Sequence, residues 1–386
     1  MSVLFTRRIP KVRESLIRGA IRLLTTRPPS PCLLLPMDDV GDYPGGKVAN
    51  LNFYDLEMKK RVTVAERRVP ESVHLSRTIG SSRGWVVRMN NEDLTVHVTN
   101  MLSPSAPESS HRVISLPPLM PLPRGLDPSE YTPVSELVRN ASLSSSPDQE
   151  GCVVAIKFWG HCISLCRLSG DSSWSWTHIN SLPKDYKASS VIYSKAASIF
   201  YLTPSTDSFR DPEAHEAHRR KLKTDRHKIY GRRDRHGSPL IVFFQQHWPL
   251  EPPEKLVEGW CGKRFLVETP YGDMYTLMWY MIKTGKKLVV SCDKESDVYL
   301  AETKRFELYS KQSWPKPYVG DIGDLCIFFG KNEPFCVPTR KYPGLKRNSI
   351  YFTEKDQICV YDIATHTILQ FPHQEPLLTP FWLPPK

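Results

Sequence analysis

The side chains in this chain that could do chemistry are present, but their spacings do not assemble a reaction centre. His215-Glu216-Ala217-His218 comes nearest to a metallohydrolase helix. That chemistry sets two imidazoles one helical turn apart with a glutamate base between them. Here the histidines are three residues apart, and Arg219, Arg220 and Lys221 follow at once, a charge that repels a cation. Cys162 and Cys166, beside His161, have no partner pair at zinc-site spacing, and no C-x-x-C occurs, so both thiols read as core packing. Gly259-Trp260-Cys261-Gly262-Lys263-Arg264 is too short between its glycines for a phosphate loop and lacks the hydroxyl that would hold magnesium. It reads as a turn entering a strand. No G-x-S-x-G elbow is present. The sequence therefore assigns no catalytic residue, no metal and no cofactor, and the chain is read as a non-enzyme.

Charge points to two segments rather than to a face. The formal +11 separates into +6 over residues 1–27 and +5 over residues 210–235, which leaves the rest neutral. The second segment carries Arg219, Arg220, Lys221, Lys223, Arg226, Lys228, Arg232, Arg233 and Arg235 around one ring, Tyr230, with five acids interleaved. It is the candidate interaction loop, set in a charged insertion expected over residues 204–238, and RNA contact through it is the alternative to protein binding. Nine scattered cysteines, an odd number lying in or beside apolar runs, indicate a reducing compartment.

The first segment reads as an address. Arg7, Arg8, Arg13, Arg18, Arg22 and Arg27 stand against Glu14 as the sole acid. On a helical wheel Lys11, Glu14, Arg18 and Arg22 share one face, opposite Val12, Leu16, Ala20, Leu23 and Leu24, and Arg27-Pro28-Pro29 ends the pattern. Residues 1–30 are thus expected to be a mitochondrial presequence, with a targeting helix. The alternatives are a chloroplast address, or a basic tail on a cytoplasmic or nuclear protein. No apolar run is long enough to span a bilayer.

From about Leu33 onward, runs of strand length alternate with turn chemistry and no long 3.6-residue period appears. The densest region, Asp324 to Phe371, holds three or four short strands. Earlier strands are expected at Leu51–Tyr54, Gly84–Met89, Leu94–Thr99, Val153–Phe158, Ile163–Leu168, Trp174–Ile179, Ser190–Tyr193, Ile199–Leu202, Leu240–Phe244, Arg264–Glu268, Asp273–Met281, Leu288–Ser291 and Arg305–Tyr309. So many short strands suit radial repetition of four-stranded sheets, an all-β propeller of six or seven blades over residues 31–386. Ser103–Ser110, Pro117–Pro123 and Asn140–Glu150, rich in Ser and Pro, are expected to be loops. The tryptophans, among them Trp85, Trp159, Trp174, Trp176, Trp248, Trp260, Trp279 and Trp314, are expected mostly to fill gaps between blades.

An ordered set of landmarks adds to this reading: PCLLLP (Pro31–Pro36), NFYDLEMKKRVTV (Asn52–Val64), GSSRGWV (Gly80–Val86), ISLPPL (Ile114–Leu119) and LCRLSGDSSWSWTHI (Leu165–Ile179). KRFLVET (Lys263–Thr269), GDLCIFFGKNEPFCVP (Gly323–Pro338) and YPGLKRNSIYFT (Tyr342–Thr353) complete it. In these the chain resembles the plant KIB-type β-propeller family, a domain of unknown function often found behind an F-box. The resemblance implies a propeller with an interaction role. About thirty presequence-like residues stand where an F-box would be, so the chain resembles an organelle-directed branch without that module, and a substrate-adaptor role in cytosol or nucleus is a further alternative. Gly80–Gly84 is expected to be a tight turn feeding the strand of Trp85. Ser194-Lys195-Ala196-Ala197-Ser198 replaces the Gly-bearing turn that relatives usually show.

Overall fold

The computed structural model describes residues 30–104, 106–126, 134–168, 174–180, 182, 186–203, 230–233, 239–243, 260–291, 294–310, 318–354, 357–371 and 381–385. Among the described residues helix is reduced to single turns such as Glu71–His74. The first sheet contains β1 (Cys32–Leu34), β2 (Asp38–Tyr43), β3 (Gly46–Asp55) and β4 (Lys60–Pro70). A second follows with β5 (Ser76–Ser82), β6 (Trp85–Asn90), β7 (Val96–Thr99) and β8 (Val113–Ser115), then a third with β9 (Val138–Leu143), β10 (Val153–Phe158), β11 (Ile163–Arg167) and β12 (Trp176–Ile179). The fourth has β13 (Val191–Ser194), β14 (Ile199–Leu202), β15 (Tyr230–Arg233) and β16 (Pro239–Phe243), and the fifth β17 (Trp260–Glu268), β18 (Met274–Ser291) and β19 (Lys294–Ser310). The sixth holds β20 (Leu325–Phe328), β21 (Phe335–Pro338), β22 (Ser349–Glu354), β23 (Gln357–Asp362) and β24 (Ile368–Phe371).

The last strand, β25 (Phe381–Leu383), returns to the first sheet and pairs with β1 in the register Cys32↔Leu383, Leu33↔Trp382 and Leu34↔Phe381. The two ends of the described chain thus close one sheet. A separate apolar cluster fills each gap: Phe53 and Val86 between the first two sheets, Trp85 and Ile156 between the second and third, Ala155 and Phe200 next. Ile192 and Leu266 follow, then Phe306 and Phe352, and finally Phe328 and Trp382 join the sixth sheet to the first. Strands such as β10 and β20 are buried on both faces between neighbouring sheets, whereas β2 and much of β4 and β24 face water.

The expectation of six or seven four-stranded blades needs correction. Five sheets have four or five strands, and the fifth in sequence has three among the described residues. Beyond β19 the fourth position is marked only by an isolated bridge between Tyr309 and Tyr318. The sequence entering that bridge carries Pro315 and Pro317, which offer no N–H to a ladder. Meanwhile β18 and β19 outrun β17, which pairs only with Met274–Ile282, and continue as a two-stranded hairpin to Ser291 and Lys294.

Two further expectations change. The insertion is not loop throughout: β15 lies at the edge of the fourth sheet, antiparallel to β16, and β16 runs parallel to β14. Asn140–Leu143, expected in a loop, is part of β9, which packs directly against β5. Residues 1–29, with the expected presequence helix, lie outside the described residues.

Candidate functional site

A ring of sheets has one place where its members converge, and here a single turn fills it. Gly330 to Pro334 joins β20 to β21 and reaches the inner strands of three other sheets. The Glu333 carboxylate accepts hydrogen bonds from the hydroxyl of Ser82 on β5 and from that of Ser142 on β9, the latter at 2.5 Å, and from the backbone N–H of Tyr193 on β13. Both serines are fully buried, while Glu333 itself is half-buried, lining the axis rather than sealed from it. Burial raises the Glu333 pKa to about 6, against the hydrogen bonds from Ser142 and Ser82 and the charge of Arg83. Arg83 is held in place: its Nε donates to the Leu143 carbonyl at 3.1 Å and its guanidinium lies 5.5 Å from the Tyr193 ring.

Asn332 extends the same turn to the closing strand. Its Nδ2 donates to the Glu333 carbonyl at 2.9 Å, and its Oδ1 accepts from the Trp382 N–H at 3.3 Å. Ser81 donates to the Trp382 carbonyl at 2.5 Å, and the Trp382 indole donates to the Phe329 carbonyl at 3.0 Å. One five-residue turn therefore ties the first, second, third and fourth sheets to the sixth.

Residue 331 of this turn belongs to a basic neighbourhood. Burial lowers the Lys331 pKa, with Glu136 opposing and Arg139 adding to the fall, although Lys331 keeps an exposed surface. The Arg139 guanidinium, on β9, lies 5.2 Å from the Trp159 ring and 5.9 Å from that of Phe265. Lys157 is wholly buried; its ammonium donates to the carbonyls of Phe158, of Gly160 at 2.8 Å and of Lys187 at 3.4 Å. Its pKa falls to about 7 through burial, with Arg139 adding to the effect. Arg264 on β17 is lowered to about 10 by burial, and its Nε is sealed from solvent with no hydrogen-bond partner among the described residues.

Of the residues singled out from sequence, Tyr230, Arg232 and Arg233 lie on β15 at the outer edge of the fourth sheet. Arg219, Arg220, Lys221, Lys223, Arg226, Lys228 and Arg235 fall outside the described residues, as do Arg7, Arg8, Arg13, Arg18, Arg22 and Arg27. Cys162 and Cys166 are buried in the core between the second and third sheets, where burial pushes each thiol up to about 11. Trp85 and Trp279 fill gaps between sheets, and so does Trp382, which sequence reasoning passed over. It also passed over Glu333, Ser82 and Ser142. Their one signal is polarity where a hairpin is otherwise aromatic, Lys-Asn-Glu between Phe-Phe-Gly and Pro-Phe.

Small sheets, antiparallel apart from the β14–β16 and β20–β22 pairs, ringed around a polar axis and closed by the two ends of the described chain, define an all-β propeller. The sequence profile of the KIB1-4 β-propeller family matches residues 53–362, and the chain belongs to that family. No curated protein matches the chain. Among solved structures, a crystal structure of a protein from Lactobacillus plantarum aligns over 92% of this chain and 100% of its own, at 6% identity and a TM-score of 0.32, too low to carry an argument. No helix among the described residues is long and apolar enough to cross a membrane.

Proposed function

We propose that this propeller is a non-catalytic platform that binds another protein inside mitochondria. The observation that carries the reading is that its enclosed polar groups make their bonds to the scaffold. Glu333 ties sheets together, and Lys157 holds backbone carbonyls. The buried Glu307 carboxylate accepts from Tyr280 at 3.1 Å and Tyr309 at 2.7 Å and pairs with Arg305 at 2.9 Å. Reaction centres use such groups on substrate, whereas these are spent on the scaffold itself. The address rests on the Arg-rich, acid-poor residues 1–27.

The test is a carboxy-terminally tagged full chain expressed in its own cells. The reading expects a shortened product in the mitochondrial fraction and one reproducible partner under proximity labelling there. A full-length product confined to the cytosol would overturn the address, and recovery of ubiquitin-ligase scaffold subunits would favour the adaptor role instead. RNA contact is the second reading, favoured by the ten Lys and Arg of residues 210–235. Deleting residues 211–229, which spares β15, separates it: salt-sensitive RNA retention disappears if that reading holds, and is absent from the intact chain if it does not.

A further inference from the structure

At one end of the propeller the turns of neighbouring sheets touch one another. Gly272, between β17 and β18, lies so near the turn from β13 to β14 that a Cβ on it would stand 3.3 Å from that of Ala196. Beside it Tyr271 accepts a hydrogen bond from Nη2 of Arg340 at 2.9 Å, and that guanidinium lies 5.8 Å from the Tyr271 ring centre. Arg340 belongs to the single helical turn Thr339–Lys341 after β21. The chain runs on to Gly344, where a Cβ would stand 2.6 Å from the Cα of Glu57 in the turn from β3 to β4. The fourth, fifth, sixth and first sheets thus share one continuous surface of turns.

That surface shows positive charge to water. Lys195, Lys341, Arg347, Lys59 and Lys60 are exposed and make no ion pair among the described residues. The acids that offset them along the sequence are half-buried and bonded within the turns themselves. Asp55 accepts the N–H groups of Glu57 at 2.8 Å and Met58 at 2.9 Å, and Glu268 those of Lys195 and Ala196. Asp324 faces Arg340 at 3.5 Å, Asp362 pairs with Lys346 at 2.8 Å, and the exposed Asp321 caps the Gly323 N–H at 2.7 Å. Among these cations two large side chains also face water: Tyr271, 53% exposed, and Met58, 47% exposed. Counting charge along the chain hides this face, because each turn carries acids that the fold directs inward.

We propose that these turns form one docking face, and that it takes an acidic segment of another protein that also carries apolar side chains. Charge of one sign across adjoining turns steers a partner of the opposite sign and fixes its register. Tyr, Met and Arg are side chains that protein interfaces favour, and Arg340 is held by Tyr271 before a partner arrives. A phosphodiester backbone would supply the charge but nothing for Met58 to pack against. The inference names the partner chemistry that the platform reading leaves open, and so rests on that reading.

A labelled peptide of alternating glutamate and leucine is the probe, titrated into the full chain beside its lysine and leucine counterpart, a single-stranded RNA and vesicles containing phosphatidylserine. The glutamate peptide should bind, more weakly as salt rises, and the lysine peptide should not. Lys341→Glu combined with Arg347→Glu should weaken binding by about tenfold or more, whereas Arg124→Glu combined with Arg167→Glu, an equal charge change at exposed positions before β9 and on β11, should leave it unchanged. Equal losses in the two pairs would reduce the effect to net charge and overturn the proposal. Met58→Ser combined with Tyr271→Ala should also weaken binding. No loss there, or tighter binding of RNA or vesicles than of the peptide, would overturn the assignment to protein. Melts by circular dichroism should match the parent, and Lys195→Glu repeats the charge test on another sheet if a double variant unfolds. Proximity labelling in cells separates this proposal from the platform reading. A partner labelled by the parent and lost in Lys341→Glu with Arg347→Glu supports both, and one labelled equally by the two chains sinks the face alone. No partner in the parent would sink the platform, and the face with it.

Discussion

Ser142 and Glu333, on different sheets, meet at the propeller axis with hydroxyl and carboxylate 2.5 Å apart, and Ser82 donates to the other oxygen of the same carboxylate. The contact joins the third sheet to the sixth without passing through the sheets between them. A carboxylate in this position stiffens the ring, yet it does so at a cost that depends on pH.

The sign of that dependence follows from the raised pKa. The folded chain keeps the Glu333 proton up to about pH 6, whereas the unfolded chain releases it in the ordinary glutamate range. Stability therefore falls as pH rises through that window and the loss is complete above it, on the order of 1–2 kcal/mol at about 1.4 kcal/mol per pKa unit. Glu333→Gln keeps the shape and removes the ionisation. Urea unfolding should show the variant more stable than the parent at pH 7.5 and level with it at pH 4. A difference independent of pH would contradict this account.

Ring closure rests on a strand of three residues. Trp382 is fully buried, packs edge-on to Phe328 at 5.1 Å between ring centres, and hydrogen-bonds through its indole to Phe329. Trp382→Ala should cost about 3–5 kcal/mol, the usual loss for a large buried aromatic. Trp382→Phe, which keeps most of the packing and loses the indole donor, should cost about 1–3 kcal/mol. Chemical denaturation monitored by circular dichroism measures both. Equal losses in the two variants would mean that packing is not what closes the ring.

The turn Ser194–Ser198 shows how a left-handed position is tolerated without glycine. Ser198 adopts a left-handed φ of 56°, where glycine is at home. Glu268, at the end of β17, accepts from the Ser194 hydroxyl at 2.7 Å and from the N–H groups of Lys195 at 2.7 Å and Ala196 at 3.0 Å, so the neighbouring sheet holds the turn. Ser198→Gly should stabilise the chain by up to about 1 kcal/mol, as relief of the left-handed strain exceeds the added chain entropy. Glu268→Ala should cost about 1–3 kcal/mol by stranding those donors. Thermal melts of the two variants should move in opposite directions.

What could be read in advance was whatever obeys hydrophobic patterning. Val153–Phe158 and Ile199–Leu202 coincide with β10 and β14, because their apolar runs pack between sheets on both faces. The inner strands β5 and β9 were missed for the opposite reason. Ser76–Ser82 and Val138–Leu143 are built from small and polar residues, since they lie where neighbouring sheets crowd together. Gly80–Gly84 was accordingly read as one turn, whereas only Arg83 and Gly84, at φ of 55° and 76°, turn the chain between β5 and β6. The axial cluster was illegible because no local spacing links Ser82, Ser142 and Glu333. They become neighbours only through the ring.

Gly80 gives the sharpest test of that crowding. A Cβ built there would stand 2.8 Å from both the Ala141 methyl and the Ala141 carbonyl oxygen, and 2.9 Å from the Ala141 nitrogen. Real side chains do not sit so close, so one of the two inner strands must move. Gly80→Ala should therefore destabilise the propeller by about 1–3 kcal/mol, the range for overpacking a tight interior. Ala141→Gly should recover part of that loss in the double variant, because it removes the methyl and leaves the backbone contacts. Unfolding free energies of the parent, both single variants and the double variant complete a cycle, with a coupling of at least about 0.5 kcal/mol expected for residues in contact. Additive effects would show that β5 and β9 do not touch at this point, and the route by which Ser82 and Ser142 reach one carboxylate would fail with them.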